Sequence, residues 1–383
     1  MAAVGPDAGT AAHYGNPTRE QRALESGTAV VDLSSRAVVT VTGPDRLSWL
    51  TTLSSQQLAS LRPGESSELL LLDIAGRIEH APAIVDDGET AWLITEAAGG
   101  APLAEWLEWM KFSLRVEISD RTSDYAVLGS TARLPEDLSV RTPAQWTDPW
   151  PALGPGAESY ASIEEAEHPG KDWAWHLTLV PRQELDDVVA RLESQGWQLA
   201  GSLAAEALRI AAWRPRMAYD VDAKTIPHEL DLIRTAVHLS KGCYKGQETV
   251  ARVHNLGHPP RRLVFLHLDG SEHTLPSAGA AVLAPKDPAD RDALAQERPV
   301  GTVTSVARHH EAGPIALALV KRKVDPQAQL VVRDTEPADE TAEHDGSADH
   351  HAYYAASQEL IVRPDAGKNV GRPQGDFLRG PRR

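Results

Sequence analysis

Leu239-Ser240-Lys241-Gly242-Cys243-Tyr244-Lys245-Gly246-Gln247-Glu248-Thr249-Val250-Ala251-Arg252 is the most informative stretch of this chain, and it holds the only cysteine among 383 residues. Gly242 and Gly246 flank the thiol, a setting for a tight turn where a ligand or partner approaches the backbone closely. Lys241, Lys245 and Arg252 would stabilise a thiolate if their charged ends approach the sulfur, and Glu248 would oppose them. Composition alone equally allows the plainer role of a lone cysteine, a small buried hydrophobe. A companion stretch, Ile226-Pro227-His228-Glu229, precedes the segment.

Outward from there, the length predicts two or three domains. One cysteine excludes an intrachain disulfide framework and any zinc site built from several cysteines of the chain, and it fits a reducing cytoplasm. The net charge of −16 disfavours non-specific attraction to nucleic acid or anionic lipid, so neither direct nucleic-acid binding nor membrane association is expected. No run of ~18 apolar residues marks a membrane span, and the N-terminus lacks a basic start followed by an apolar run. P-loop, dinucleotide, metalloprotease and serine-hydrolase patterns are absent, and no metal site is expected.

Residues 1–12 are small and polar and predict a disordered leader. A short helix is expected from Arg19 to Gly27, a half-buried strand over Ala37 to Thr42, and a helix capped by Asp45 that carries Leu47 and Leu50. Further strands are expected at Glu68 to Ile74, Ala91 to Thr95, Leu114 to Ile118, Tyr125 to Leu128 and Ala174 to Val180. Between them, Leu103, Trp106, Leu107 and Met110 share one helical face, as do Leu185, Val188, Val189 and Leu192. The mixture predicts α+β layers rather than a doubly wound parallel sheet. From Leu134 to Pro169 the chain reads as a long surface connection, on which Trp146 and Trp150 either pin the loop to the body or line a cleft.

After Pro259-Pro260 short strands without long helices, at Arg262 to Leu268, Gly301 to Ala307, Ile315 to Val320, Gln329 to Val332 and Gln358 to Val362, predict a small β-barrel over 259–365. The tract Asp334 to Asp349 holds seven acids and no Lys or Arg, and predicts a disordered insertion at about 334–356. Its His344, His350 and His351 read as solvated rather than metal-binding. Residues 366–383 predict a flexible basic tail.

The run Lys241 to Glu248 with Val250-Ala251-Arg252 resembles the signature of YgfZ-type folate-binding proteins, relatives of the glycine-cleavage T-protein. The resemblance extends to Asp32-Leu33-Ser34 through Gly43-Pro44-Asp45 and to Gly301-Thr302-Val303-Thr304-Ser305 through Ile315-Ala316-Leu317-Ala318, so it spans roughly residues 13 to 365. It implies a GcvT-like folate-binding region over 13–258, with interleaved α+β subdomains around a central cleft and a C-terminal β-barrel closing one side. It implies tetrahydrofolate or a derivative as ligand, a role in assembly or repair of iron-sulfur clusters, an indirect link to tRNA modification, and client enzymes or assembly proteins as partners. Cys243 is then the chemical residue, and Arg209, Glu229, Lys241, Tyr244, Gln247 and Arg252 are the candidate folate contacts.

Two departures bear on activity. T-protein-like aminomethyltransferases carry acids at positions corresponding here to His80 and Ala81, and neighbouring Glu79 on an extended segment would face the opposite way. Where the superfamily offers a glutamate for the pterin, this chain has Ala211. Clusters commonly need about four thiolates, so one cysteine would serve only with ligands from elsewhere. A folate-dependent aminomethyl or C1 transferase and a folate-responsive binding module without turnover are the competing expectations.

Overall fold

The computed structural model describes residues 1–135, 138, 142–271, 274–335 and 351–367. Its first 258 residues carry two five-stranded sheets, the second inserted after the first strand of the first. One sheet runs in the order Gln145–Thr147, His176–Pro181, Tyr125–Ser130, Ala29–Asp32, Gln198–Ala200, with only the last pair parallel. The other runs Ser66–Glu68, Ala83–Asp86, Thr90–Thr95, Ala37–Thr42, Glu117–Asp120, all antiparallel. The chain leaves the first sheet after Ala29–Asp32, builds the whole second sheet, and returns at Tyr125–Ser130. This is the interleaved α+β architecture expected from the sequence.

Local sequence explains the elements. Ala37–Thr42 reads AVVTVT, β-branched at five of six positions, and its inner residues are buried on both faces. Helix Gly100–Met110 buries Leu103 and Leu107 against the second sheet's core, and helix Leu185–Ser194 buries Val188 and Leu192 under the first. Helix Pro17–Glu25 begins on Asn16, whose side chain accepts from the Arg19 amide at 3.1 Å, with Pro17 in its first turn. Asp45 does not cap its helix, Arg46–Leu53; its carboxylate instead receives the Arg115 guanidinium at 2.6 Å.

The C-terminal region closes into a six-stranded antiparallel barrel, in the order Arg261–Leu268, Gly313–Lys321, Gly301–His309, Ala281–Leu283, Leu330–Thr335, His351–Leu360. Ala281–Leu283 was not foreseen, being only three residues among prolines and glycines. A shared core welds the barrel to the rest: Trp150, Tyr160, Ile210 and Trp213 pack with Phe265, Ile315 and Leu317.

Several expectations need correction. Residues 1–12 are not a disordered leader. A turn of 3-10 helix at Gly5–Asp7 sits in a small hairpin, and Ser202 and Leu203 donate backbone hydrogen bonds to Ala11 and Ala12. The connection after Leu134 contains a sheet strand, Gln145–Thr147. The expected strand Glu68 to Ile74 is split between Ser66–Glu68 and Leu71–Leu72. The two ends of the expected disordered insertion are barrel strand instead, Asp334 and Thr335 pairing with Ala352 and His351, and residues 336–350 lie outside the described residues. His344 and His350, and the tail from residue 368, lie outside the described residues.

Candidate functional site

The central cleft lies between the two sheets and the segment Ser202–Val221. Leu33, Ile94, Trp146, Trp173, Trp175 and Leu177 give it an apolar wall. Trp173 and Trp175 stack with ring centroids 5.2 Å apart. Trp146 thus lines the cleft, whereas buried Trp150 pins its loop, its indole N–H donating to the Ala212 carbonyl at 2.9 Å. An aromatic wall facing a charged side offers a small molecule both stacking and hydrogen-bonding partners.

The polar side of the cleft is built by Arg209, Arg214 and Arg216, three arginines within eight residues at and after the end of helix Ser202–Ala211. Trp213 adopts a left-handed conformation at φ 57° between them and turns the chain sharply. Arg216 holds Glu96 at 2.9 and 2.8 Å, Asp7 at 2.8 and 3.0 Å, and Glu206 at 2.9 Å. Arg209 reaches Glu206 at 2.7 Å, Asp220 at 3.0 Å and the Ser305 hydroxyl of the barrel at 2.8 Å. Arg214 pairs with Glu68 at 2.6 Å and Asp148 at 3.0 Å. Burial pushes the Glu206 carboxyl up, but the guanidinium groups of Arg209 and Arg216 outweigh it and hold the group at about 2. Burial likewise pushes Glu96 up, but Arg36 and Arg216 hold it below its usual range, and both carboxylates line the cleft as hydrogen-bond acceptors.

Of the candidate folate contacts named from the sequence, only Arg209 lines this cleft. Ala211 does not; it packs against the core shared with the barrel, and Glu206 on the same helix supplies a carboxylate instead. Glu229 is fully buried, where it receives the Arg261 guanidinium at 2.8 and 3.0 Å and its backbone amide at 3.1 Å. Asp7, Arg36, Glu68, Glu96, Asp148, Glu206, Arg214 and Arg216 were missed as cleft residues, and the arginine cluster was the one local signal for them.

Cys243 is exposed, on the loop leading into helix Gln247–Leu256. Lys241 is buried beneath that loop. Its ammonium donates to the carbonyls of Thr51 and Ser54 at the end of helix Arg46–Leu53, and lies 4.6 Å from the Tyr244 ring centroid. Burial lowers the Lys241 ammonium to about 8, opposed by the nearby Cys243. Lys245 reaches Glu79 at 3.0 Å and Arg252 reaches Glu248 at 2.6 Å. Two of the three expected thiolate partners are therefore committed to carboxylates. Tyr244, its phenol raised by burial, and Gln247 line a separate polar recess with Glu158 and His254. Among the described residues no group of three or more His, Cys, Asp or Glu is placed to hold a metal ion, and no helix is long and apolar enough to cross a membrane.

The transferase-like segment falls between these two places. Ala81 lines the cleft, while Glu79 turns outward to Lys245 and His80 lies 6.5 Å from the Trp106 ring.

Residues 11–131 match the GCVT N-terminal domain family. A putative chloroplastic transferase of Arabidopsis thaliana is 24% identical over 272 residues, 68% of this chain and 61% of that protein. The tRNA-modifying protein YgfZ of Aliivibrio fischeri is 32% identical over 111 residues, 29% of this chain and 32% of that protein. This chain therefore spans less than two thirds of either relative's length. The glycine cleavage system aminomethyltransferase T of Bartonella henselae shares the fold, with a TM-score of 0.61 at 16% identity over 92% of this chain and 91% of that one.

Proposed function

The chain is a GcvT-like protein of the YgfZ type, and from that premise we propose that it is a tetrahydrofolate-binding accessory protein for assembly or repair of iron-sulfur clusters in client enzymes. Folate occupies the central cleft in this reading, with an aromatic ring against the tryptophan wall. Cys243 faces the partner and supplies one sulfur ligand while the client supplies the rest. The reading places the protein in a reducing compartment, the cytoplasm, where the thiol stays free.

The observation that carries this reading is the separation of the two features: an exposed thiol outside the cleft, and Ala81 in the cleft where the transferases carry an acid. With Ala81 there, that position offers no carboxyl group to move a proton at the folate.

The test is complementation in cells lacking the native protein, read as the activity of an iron-sulfur enzyme. Cys243→Ser is expected to fold and to bind folate as before but to rescue poorly. Full rescue would remove the cysteine from the mechanism and leave a folate-responsive binding module.

Relatives named as transferases favour a second reading, a folate-dependent aminomethyl or C1 transferase. Turnover of a methylamine donor by the purified protein with tetrahydrofolate would put it first.

A further inference from the structure

Arg36 stands apart from the other arginines of the cleft. Arg209, Arg214 and Arg216 each donate at least three side-chain hydrogen bonds, mostly to carboxylates. The Arg36 guanidinium lines the same cleft with its side chain 17% exposed, and the carboxylate paired with it, Glu96, lies 3.7 Å away. That is too long for a hydrogen bond, and both Glu96 oxygens already accept from Arg216. Its Nε is buried with no protein acceptor, as are the hydroxyls of Ser34 and Ser35 beside it in the chain. Burial lowers the Arg36 guanidinium, whereas carboxylate partners raise Arg209, Arg214 and Arg216.

A desolvated guanidinium without an acceptor is costly, and its planar fork matches a carboxylate through two parallel hydrogen bonds. Of the four arginines on the cleft, Arg36 alone has a carboxylate neighbour only at ion-pair distance and no hydrogen-bonded acceptor, so its donors are the ones open to a ligand's carboxylate. The tryptophan wall beside it suits a planar aromatic body.

We propose that Arg36 is the specificity-determining residue of the cleft, receiving a carboxylate of an aromatic ligand that lies against Trp146, Trp173 and Trp175. The inference rests on the folate reading for the identity of that ligand, whose glutamyl tail carries such a carboxylate.

The experiment titrates wild-type protein, Arg36→Met and Arg36→Lys, followed by tryptophan fluorescence and by thermal shift. The probes are 5-formyltetrahydrofolate, p-aminobenzoylglutamate and a tetrahydropterin without a tail. Arg36→Met is expected to weaken the two carboxylate probes by about 10- to 100-fold and leave the tail-less pterin unchanged. Arg36→Lys, which keeps the charge and loses the fork, should fall between. Equal weakening of all three probes, or of none, would overturn the proposal. Arg36-dependent binding of p-aminobenzoylglutamate without binding of the folate would keep Arg36 in its role and sink the folate reading instead. Failure of every probe to bind wild-type protein would sink both.

Discussion

A side-chain carbon placed on Gly246 would lie 2.6 Å from the carbonyl oxygen of Asp73. Gly246 also sits at φ 86°, and Gly76 across the contact sits at φ 76° with Thr249 at 3.0 Å from its own would-be Cβ. The cysteine-bearing signature and the Asp73–Gly76 turn are thus locked together through two glycines, which fixes Cys243 relative to the Ile78–His80 strand. Gly242, by contrast, has open space around it.

Gly246→Ala should therefore destabilise the protein by at least about 1–2 kcal/mol, the cost of a left-handed backbone alone, while Gly242→Ala should stay within about 0.5 kcal/mol. Paired denaturant melts check this. Equal midpoints for the two variants would contradict the packing.

Arg214→Met is expected to cost about 3–5 kcal/mol, because it leaves Glu68 and Asp148 buried without their cation. Adding Glu68→Gln and Asp148→Asn should recover part of the loss. A single mutant as stable as wild type would contradict the account of the polar side of the cleft.

Stability should fall in mild acid. Burial lowers His168 to about 4 and His228 to about 3, so both are neutral in the folded state, while an unfolded histidine takes up its proton near ~6.5. Below that value the unfolded chain binds more protons than the folded one, and stability declines as pH falls from about 6.5 toward 4 and 3. Urea midpoints at a series of pH values read the slope, and His228→Leu should flatten it. An unchanged slope in that variant would mean the proton uptake lies elsewhere.

Glu79→Ala should leave both folding and ligand affinity nearly intact. Its ion pair with Lys245 is part-exposed on each side, a setting worth at most about 1 kcal/mol. A large loss of affinity in calorimetry would place Glu79 in the cleft and revive the transferase reading.

The sheets were legible because Ala37–Thr42 and Tyr125–Ser130 carry their pattern locally, and Cys243 was legible because it is unique. The outward turn of Glu79 followed from strand alternation. The cleft was not legible in the same way. Its carboxylates come from Asp7, Glu68, Glu96, Asp148 and Glu206, which no spacing rule joins, and each is recognised only by the arginine it meets. Asp7 finds Arg216 across 209 residues of chain. Glu229 looked like a binding group for the opposite reason: its sequence neighbourhood was suggestive, and only the barrel's Arg261 reveals that it is spent on structure.

The docking of Asp7 on Arg216 has a practical consequence. Asp7 forms part of the cleft wall, so a purification tag joined to Met1 would stand only a few residues from the cleft. Titrations made on such a fusion would measure the tag's disturbance along with the ligand. A dye on exposed Ala8, placed by Ala8→Cys in a Cys243→Ser background, would report on the surroundings of Asp7 instead.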